Sequence, residues 1–161
     1  MRLVSREEVV AEVFNRNLDP NLLKDTMITM AQFRFVEYFL GPFSVKITEN
    51  PEQYSDFIQD FIKPVVSWGV LLNSFEQLTT QLTEKGAYQF VGDGVTIVGE
   101  QSRYNNKIEI KRNVYGLIKK MLDEASLLKS AGDERFSDFF RGKEPKLIAV
   151  NSNKKQQSRP Y

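Results

Sequence analysis

The segment YSDFIQDFIKPVVSWGVLLNSFEQLTTQL, residues 54–82, decides the fold. Tyr54, Ile58, Phe61, Val65, Trp68, Leu72, Phe75 and Leu82 recur at steps of three and four almost throughout, the spacing of one helical face. Asn50 is placed to cap this helix, with Pro51 in the first turn, and the periodicity carries it to Thr83 before Gly86 supplies the residue past its end. At 1.5 Å per residue such a helix is roughly 50 Å long, more than the diameter of a small domain. Pro64 lies in its middle, removes one backbone donor, and predicts a kink or a split into two helices.

Working toward the N-terminus, SREE at residues 5–8 reads as a capping box that starts a short helix with Val9, Val10, Val13 and Phe14 on its apolar face. A second helix is expected from Asp19, its N-cap, and Pro20 to the stop at Gly41-Pro42. Its stripes are Ile28, Ala31, Phe35 and Phe39, and beside them Phe33, Val36 and Leu40, with Thr29, Gln32 and Glu37 polar. Residues 42–50, PFSVKITEN, read as a loop with a brief extended piece at Val45 to Thr48.

Toward the C-terminus, AYQFV and VTIV flank GDG, a hairpin pattern with its turn at Asp93-Gly94. A fourth helix runs from near Arg103 to about Lys129, with Tyr104, Ile108, Tyr115, Ile118, Leu122, Ala125 and Leu128 on its apolar face and Gly132 at its end. DERFSDFF forms a last short helix burying Phe136, Phe139 and Phe140. The expected architecture is mainly α: a bundle of four to five helices with a long, Pro-kinked central helix over residues 1–140, a small β-hairpin or extended arm at about 87–101, and an extended basic tail over residues 141–161 in which only LIAV could anchor.

Composition narrows the chemistry. The chain of 161 residues has 22 Lys+Arg against 21 Asp+Glu, so net charge alone does not point to nucleic acid. The charge is uneven: residues 141–161 hold six basic residues and one acid, which gives this tail +5 and the rest of the chain −4. There is no Cys and no His, which excludes disulfides, Cys/His zinc sites, and triads or general bases built on either residue. The N-terminus lacks an apolar signal core, and no stretch reaches the ~18 to 20 apolar residues of a membrane span.

The remaining candidates for chemistry have simpler readings. Gly92, Gly94 and Gly99 fit neither the dinucleotide fingerprint, since Ile97 stands where its third glycine belongs and no βαβ unit surrounds the segment, nor the phosphate loop, since there is no Gly-Lys-Ser/Thr, so they read as turn residues. Asp56 and Asp60 share a helix face at i, i+4 and could ligate a metal only with further carboxylates; a solvated face is the plainer reading. Asp133 and Glu134 suit a helix N-terminus. Lys107, Lys111, Arg112, Lys119 and Lys120 could face DNA or water. Lys154, Lys155 and Arg159 could bind nucleic acid, dock on an acidic partner, or keep a free end soluble.

The order of elements carries a resemblance. A short helix is followed by one ending AQFRFVEYFLGPF, a long helix with FIKPVVSWGVLL, an extended segment after KG, the long helix SRYNNKIEIKRNVYGLIKKMLDEASLL, and the short ERFSDFF. Over roughly residues 5–140 this resembles the head–tail connector, or adaptor, proteins of tailed bacteriophages; the crAss-like phages carry proteins of similar size and layout. The resemblance implies a structural virion protein without enzymatic activity or cofactor, assembled in the host cytoplasm. It would form a ring, commonly of about twelve copies, at the head–tail junction. The ring would meet the portal protein and adjacent tail or connector rings, and would surround double-stranded DNA without reading its sequence. The arm, with Tyr88, Phe90, Val91, Val95, Ile97 and Val98, would touch neighbouring subunits by β-augmentation, and the tail, with Lys154, Lys155, Arg159 and Tyr161, would dock on a partner. The alternative is a helical nucleic-acid-binding protein that uses the basic tail.

Overall fold

A computed structural model of the chain describes residues 1–14, 18–81, 88–91, 94–97 and 100–146, with side chains for 1–14, 18–75 and 105–146. The expectations placed on Val98, Leu82, Thr83, Gly86 and Gly99, and on Lys154, Lys155, Arg159 and Tyr161, lie outside the described residues. The fold is mainly helical around a long central helix, as the periodicity requires.

Helix α1 (Arg6–Val13) starts at the expected capping box: Ser5 Oγ accepts from the Glu8 N–H, and Glu8 accepts from the Ser5 N–H. Val9 and Val10 are buried. Helix α2 spans residues 25–40 in three continuous pieces: Asp25–Gln32, a π-helical segment Phe33–Glu37, and a final turn Tyr38–Leu40. It begins later than Asp19-Pro20 suggested. Asp19 does cap, but caps a 3-10 turn, Pro20–Leu22. Leu23 then turns extended to bury itself completely, which breaks the helix before it can form. Gly41 stops α2 at a φ of 58°, where residues with a Cβ are strained.

Residues expected as a loop form helix α3 (Phe43–Glu49) instead. The β-branched Val45, Ile47 and Thr48 suggested extension, but Phe43 and Ile47, one helical turn apart, are both buried, and tertiary packing outweighs the weak propensity. Thr48 Oγ1 donates back to the carbonyls of Ser44 and Val45, which ties its polar group to the helix. Asn50 stands at the expected N-cap position, with Pro51 opening the 3-10 turn that follows, but its side chain serves α3 instead: its N–H and its side-chain amide both donate to the Lys46 carbonyl.

After a 3-10 turn (Pro51–Tyr54), helix α4 runs through residues 55–81 as Ser55–Phe57, a π-helical segment Ile58–Ile62, and Lys63–Gln81. The disruption expected at Pro64 takes the form of this π turn. Proline offers no N–H, and the Lys63 N–H donates five residues back to Ile58. The wider turn also changes the buried stripe. Phe57 and Ile62, five apart, are both fully covered, and the most buried line continues through Val66 and Val70 to Ser74. The expected face is only half right: Tyr54 and Val65 are buried, whereas Ile58, Phe61, Trp68, Leu72 and Phe75 are partly covered.

Strands β1 (Tyr88–Val91) and β2 (Gly94–Ile97) pair antiparallel, with Tyr88 opposite Ile97 and Val91 opposite Gly94. Gly94 therefore belongs to the ladder, not to the turn as Asp93-Gly94 suggested. Helix α5 (Glu100–Ser130) follows and ends in a Schellman motif: Asp133 N–H donates to Leu128, Gly132 N–H to Lys129, and Gly132 sits at φ 83°. A 3-10 turn (Glu134–Phe136) buries Phe136, and Phe139 is buried too; Phe140, expected inside, is 79% exposed. Helices α4 and α5 are antiparallel, since the start of α4 meets residues after α5 while Asn73 and Ser74 lie beside Tyr115.

One apolar cluster runs from Val4 to Phe139, and α4 touches α1, α2 and α5. Small residues let the helices close in: a Cβ added to Gly69 would stand 2.4 Å from Phe35 Cδ2. Phe35 is itself buried, so its ring would have to shift out of the core to admit a methyl group. Gly69→Ala should destabilise the fold by about 1–3 kcal/mol despite the helix propensity gained. Urea unfolding checks this, and adding Phe35→Leu should recover part of the loss; an unchanged midpoint for the single variant would refute the close contact.

Candidate interaction surface

Among the described residues, no group of three or more acidic side chains is arranged to hold a metal. Asp56 and Asp60 do not act together. Asp56 faces Arg135, whose Nη1 and Nη2 donate to its two oxygens at 3.1 and 3.2 Å, whereas Asp60 is exposed on the π turn. Arg135 also reaches Asp133 at 2.8 Å and the Gln53 carbonyl at 2.6 Å. The Tyr54 hydroxyl closes the loop by donating to the Arg135 carbonyl at 2.9 Å. This is a clamp between the start of α4 and the chain after α5. Hydrogen bonding to the guanidinium holds both Asp56 and Asp133 below the usual carboxylate range. Asp133 also caps the 3-10 turn by accepting from the Arg135 N–H, the role its position suggested.

The basic residues of α5 do not line one face free of acids. Lys107, Lys111, Arg112, Lys119 and Lys120 are exposed, but Lys119 pairs with Asp123 at 2.6 Å and Lys111 lies over the Tyr115 ring at 5.7 Å. Glu109 and Asp123 are exposed among them.

An open groove of about 930 Å³ lies between α2, α4 and α5. Met30, Phe33 and Tyr38 line it from α2, Asn73 and Ser74 from α4, and Tyr115 from α5. Met30 is 66% exposed and Phe33 65%, so this apolar surface is uncovered by the described residues. Phe33 was expected in the core, and Gln32 beside it on the surface; the structure reverses them. Gln32 is buried because it serves the N-terminal segment: Leu3 N–H donates to its Oε1 at 2.9 Å and its Nε2 donates to the Met1 carbonyl at 3.0 Å. No apolar-pattern rule carries that signal. Arg34 ties the groove's walls together, donating to Asn73 Oδ1 at 3.1 Å.

The hairpin is the second candidate surface. By register, Tyr88, Phe90, Val95 and Ile97 share one face and Val91 falls on the other. The sheet has two strands, so each presents an outer edge without a partner strand among the described residues. The start of the tail is fixed where the sequence credited only LIAV: Arg141 donates through Nη1 to Asp123 at 2.6 Å and through Nε and Nη2 to Glu144, and Lys143 Nζ sits 3.6 Å from the centre of the Tyr38 ring. Among the described residues no helix is long and apolar enough to cross a membrane. No family model, curated protein or solved structure matches the chain.

The depressed carboxylates fix the sign of the acid response. A lowered folded-state pKa gives stability that is complete above the unfolded value near ~4 and is lost as pH falls through the folded value. With no His and no Cys, no side chain of ordinary pKa titrates between about 5 and 8, so stability should be flat across that window. Arg135→Met should lower stability at neutral pH and flatten its fall below about pH 4, because Asp56 and Asp133 return toward their ordinary values. Denaturant unfolding at a series of pH values checks both effects; an acid slope as steep as the parent's would show that Arg135 is not the cause.

Proposed function

We propose that this chain is a structural protein of a bacteriophage virion. It forms a ring at the head–tail junction, between the portal and the tail, around the channel through which DNA passes. The reading rests on one observation above others: two long antiparallel helices, α4 and α5, are joined through a two-stranded hairpin whose outer edges have no partner strand among the described residues. A two-stranded ribbon is marginal alone in water and gains most by pairing with another chain. In a ring, each arm meets the next copy in the same way, and rotation closes the set.

By register, the apolar residues at positions 88, 90, 95 and 97 share one face of such an arm, and Gln89, Thr96 and Val91 share the other. The element order that resembles head–tail adaptors supports the same assignment. DNA passage through such a ring needs no base readout, which fits basic and acidic residues mixed along α5.

Native mass spectrometry and negative-stain imaging of the purified chain should show closed rings of about twelve copies, the number usual for such junctions. Phe90→Lys with Ile97→Lys should abolish the rings while leaving the helical circular dichroism intact. A chain that stays monomeric at every concentration and is absent from virions would end the proposal. Monomers that bind DNA with a steep salt dependence would put a nucleic-acid-binding role in its place.

A further inference from the structure

We propose that the apolar groove between α2, α4 and α5 is the docking site for Leu147, Ile148, Ala149 and Val150 of the same chain. The direction of the preceding residues carries this. After the Schellman turn the chain doubles back along α5: Lys129 Nζ donates to the Phe139 carbonyl at 2.7 Å, and two residues later Arg141 reaches Asp123. The order of these contacts, residue 139 at Lys129 and residue 141 at Asp123, runs the chain opposite to α5. Lys143 then sits on the face of Tyr38, a residue that lines the groove.

Positions 147–150 follow Lys143 by four to seven residues, which extended chain can carry at most about 13–25 Å, so the apolar run is within reach of the groove that Tyr38 lines. Position 145 is proline, which favours the extended backbone this path needs and asks for no hydrogen bond. The four residues that follow within reach are the one apolar run between Arg141 and Tyr161, and the groove offers them Met30, Phe33 and Tyr38. Apolar segment and apolar groove are thus brought together by contacts that the described chain already makes. Docking in this way does not require the ring: it would cover the groove in each copy and leave the basic residues beyond Val150 to project from a fixed point.

The absence of cysteine makes a direct test possible. A Met30→Cys, Ile148→Cys double variant introduces the only two thiols, one of them at an exposed position whose replacement leaves the core untouched. Mild oxidation should join them within one chain, seen on a non-reducing denaturing gel as a faster-moving monomer and as near-complete loss of free thiol. A second pair, Phe33→Cys with Ala149→Cys, guards against an unlucky geometry at the first, since a disulfide needs its α-carbons within about 7 Å. Glu52→Cys with Ile148→Cys, placing one thiol on the 3-10 turn before α4, sets the background of chance collision. Cross-linked dimers in place of monomers would assign the groove to the tail of another copy and overturn the proposal. Cross-linking by both groove pairs no faster than the Glu52 background would overturn it as well.

Discussion

The close approach of α2 to α4 is the contact on which the rest of the structure depends. Gly69 leaves the backbone of α4 bare, and Phe35 lies against it at a distance no side chain could tolerate. Once the two helices are that close, the shape of everything around them is constrained. Val66 and Val70 on α4 are fully or almost fully buried, and so are Ile28, Ala31 and Val36 on α2. Gln32, carried into the interior by the same approach, has to be satisfied there. It recruits the backbone of Met1 and Leu3, and so fixes the segment that leads into α1. The segment so fixed leads into the capping box of α1, where Glu8 also pairs with Lys63 of α4 at 3.9 Å.

The opposite end of α4 is held by different means. Phe43, Tyr54, Phe57, Phe136 and Phe139 form a set of rings with centroids 5.1–5.8 Å apart, most of them edge to face. Such pairs contribute about 0.5–1.5 kcal/mol each beyond the area they bury. Around this aromatic cluster Arg135 closes the polar shell through Asp56, Asp133 and the Gln53 carbonyl. The division is physically sensible. Small residues bring helices together where two long elements cross, and large rings fill the space where three short segments meet and no regular ridge-and-groove packing is possible.

Much of this architecture was legible in the sequence, and what was not has identifiable causes. The capping box at Ser5, the stop at Gly41 and the end of α5 at Gly132 were readable because capping is local chemistry: the residues that do the work are within a few positions of each other. The long helix was readable because eight apolar residues kept a helical period. The phase of its buried stripe was not, because Pro64 induces a π turn that adds a residue between Phe57 and Ile62, and a pattern counted at 3.6 residues per turn drifts across it. Helix α3 was missed for the opposite reason: its formation depends on Phe43 meeting Tyr54, Phe136 and Phe139, contacts that no window around residues 43–49 contains. The groove was hidden by Phe33, whose type suggests burial and whose position faces outward. The docked start of the tail depends on Arg141 finding Asp123 eighteen residues back, a pairing visible only after α5 has turned the chain around.

These causes bear on how function is carried. Local signals fix the helices, and distant contacts fix the surfaces, so the surfaces are where sequence reading has least hold. The hairpin is the exception, since its alternation of apolar and polar residues is itself local and its register puts Tyr88, Phe90, Val95 and Ile97 together. The shifted groups described here are carboxylates lowered by cations and cations raised by carboxylates, which are ion pairs that hold elements in place. Their charges are spent on structure: Asp56 and Arg135 join the start of α4 to the end of α5, and Asp123 and Arg141 lay the tail along α5. Among the described residues the ion pairs thus hold segments of the fold together, and the two-stranded ribbon keeps outer edges that no described strand covers.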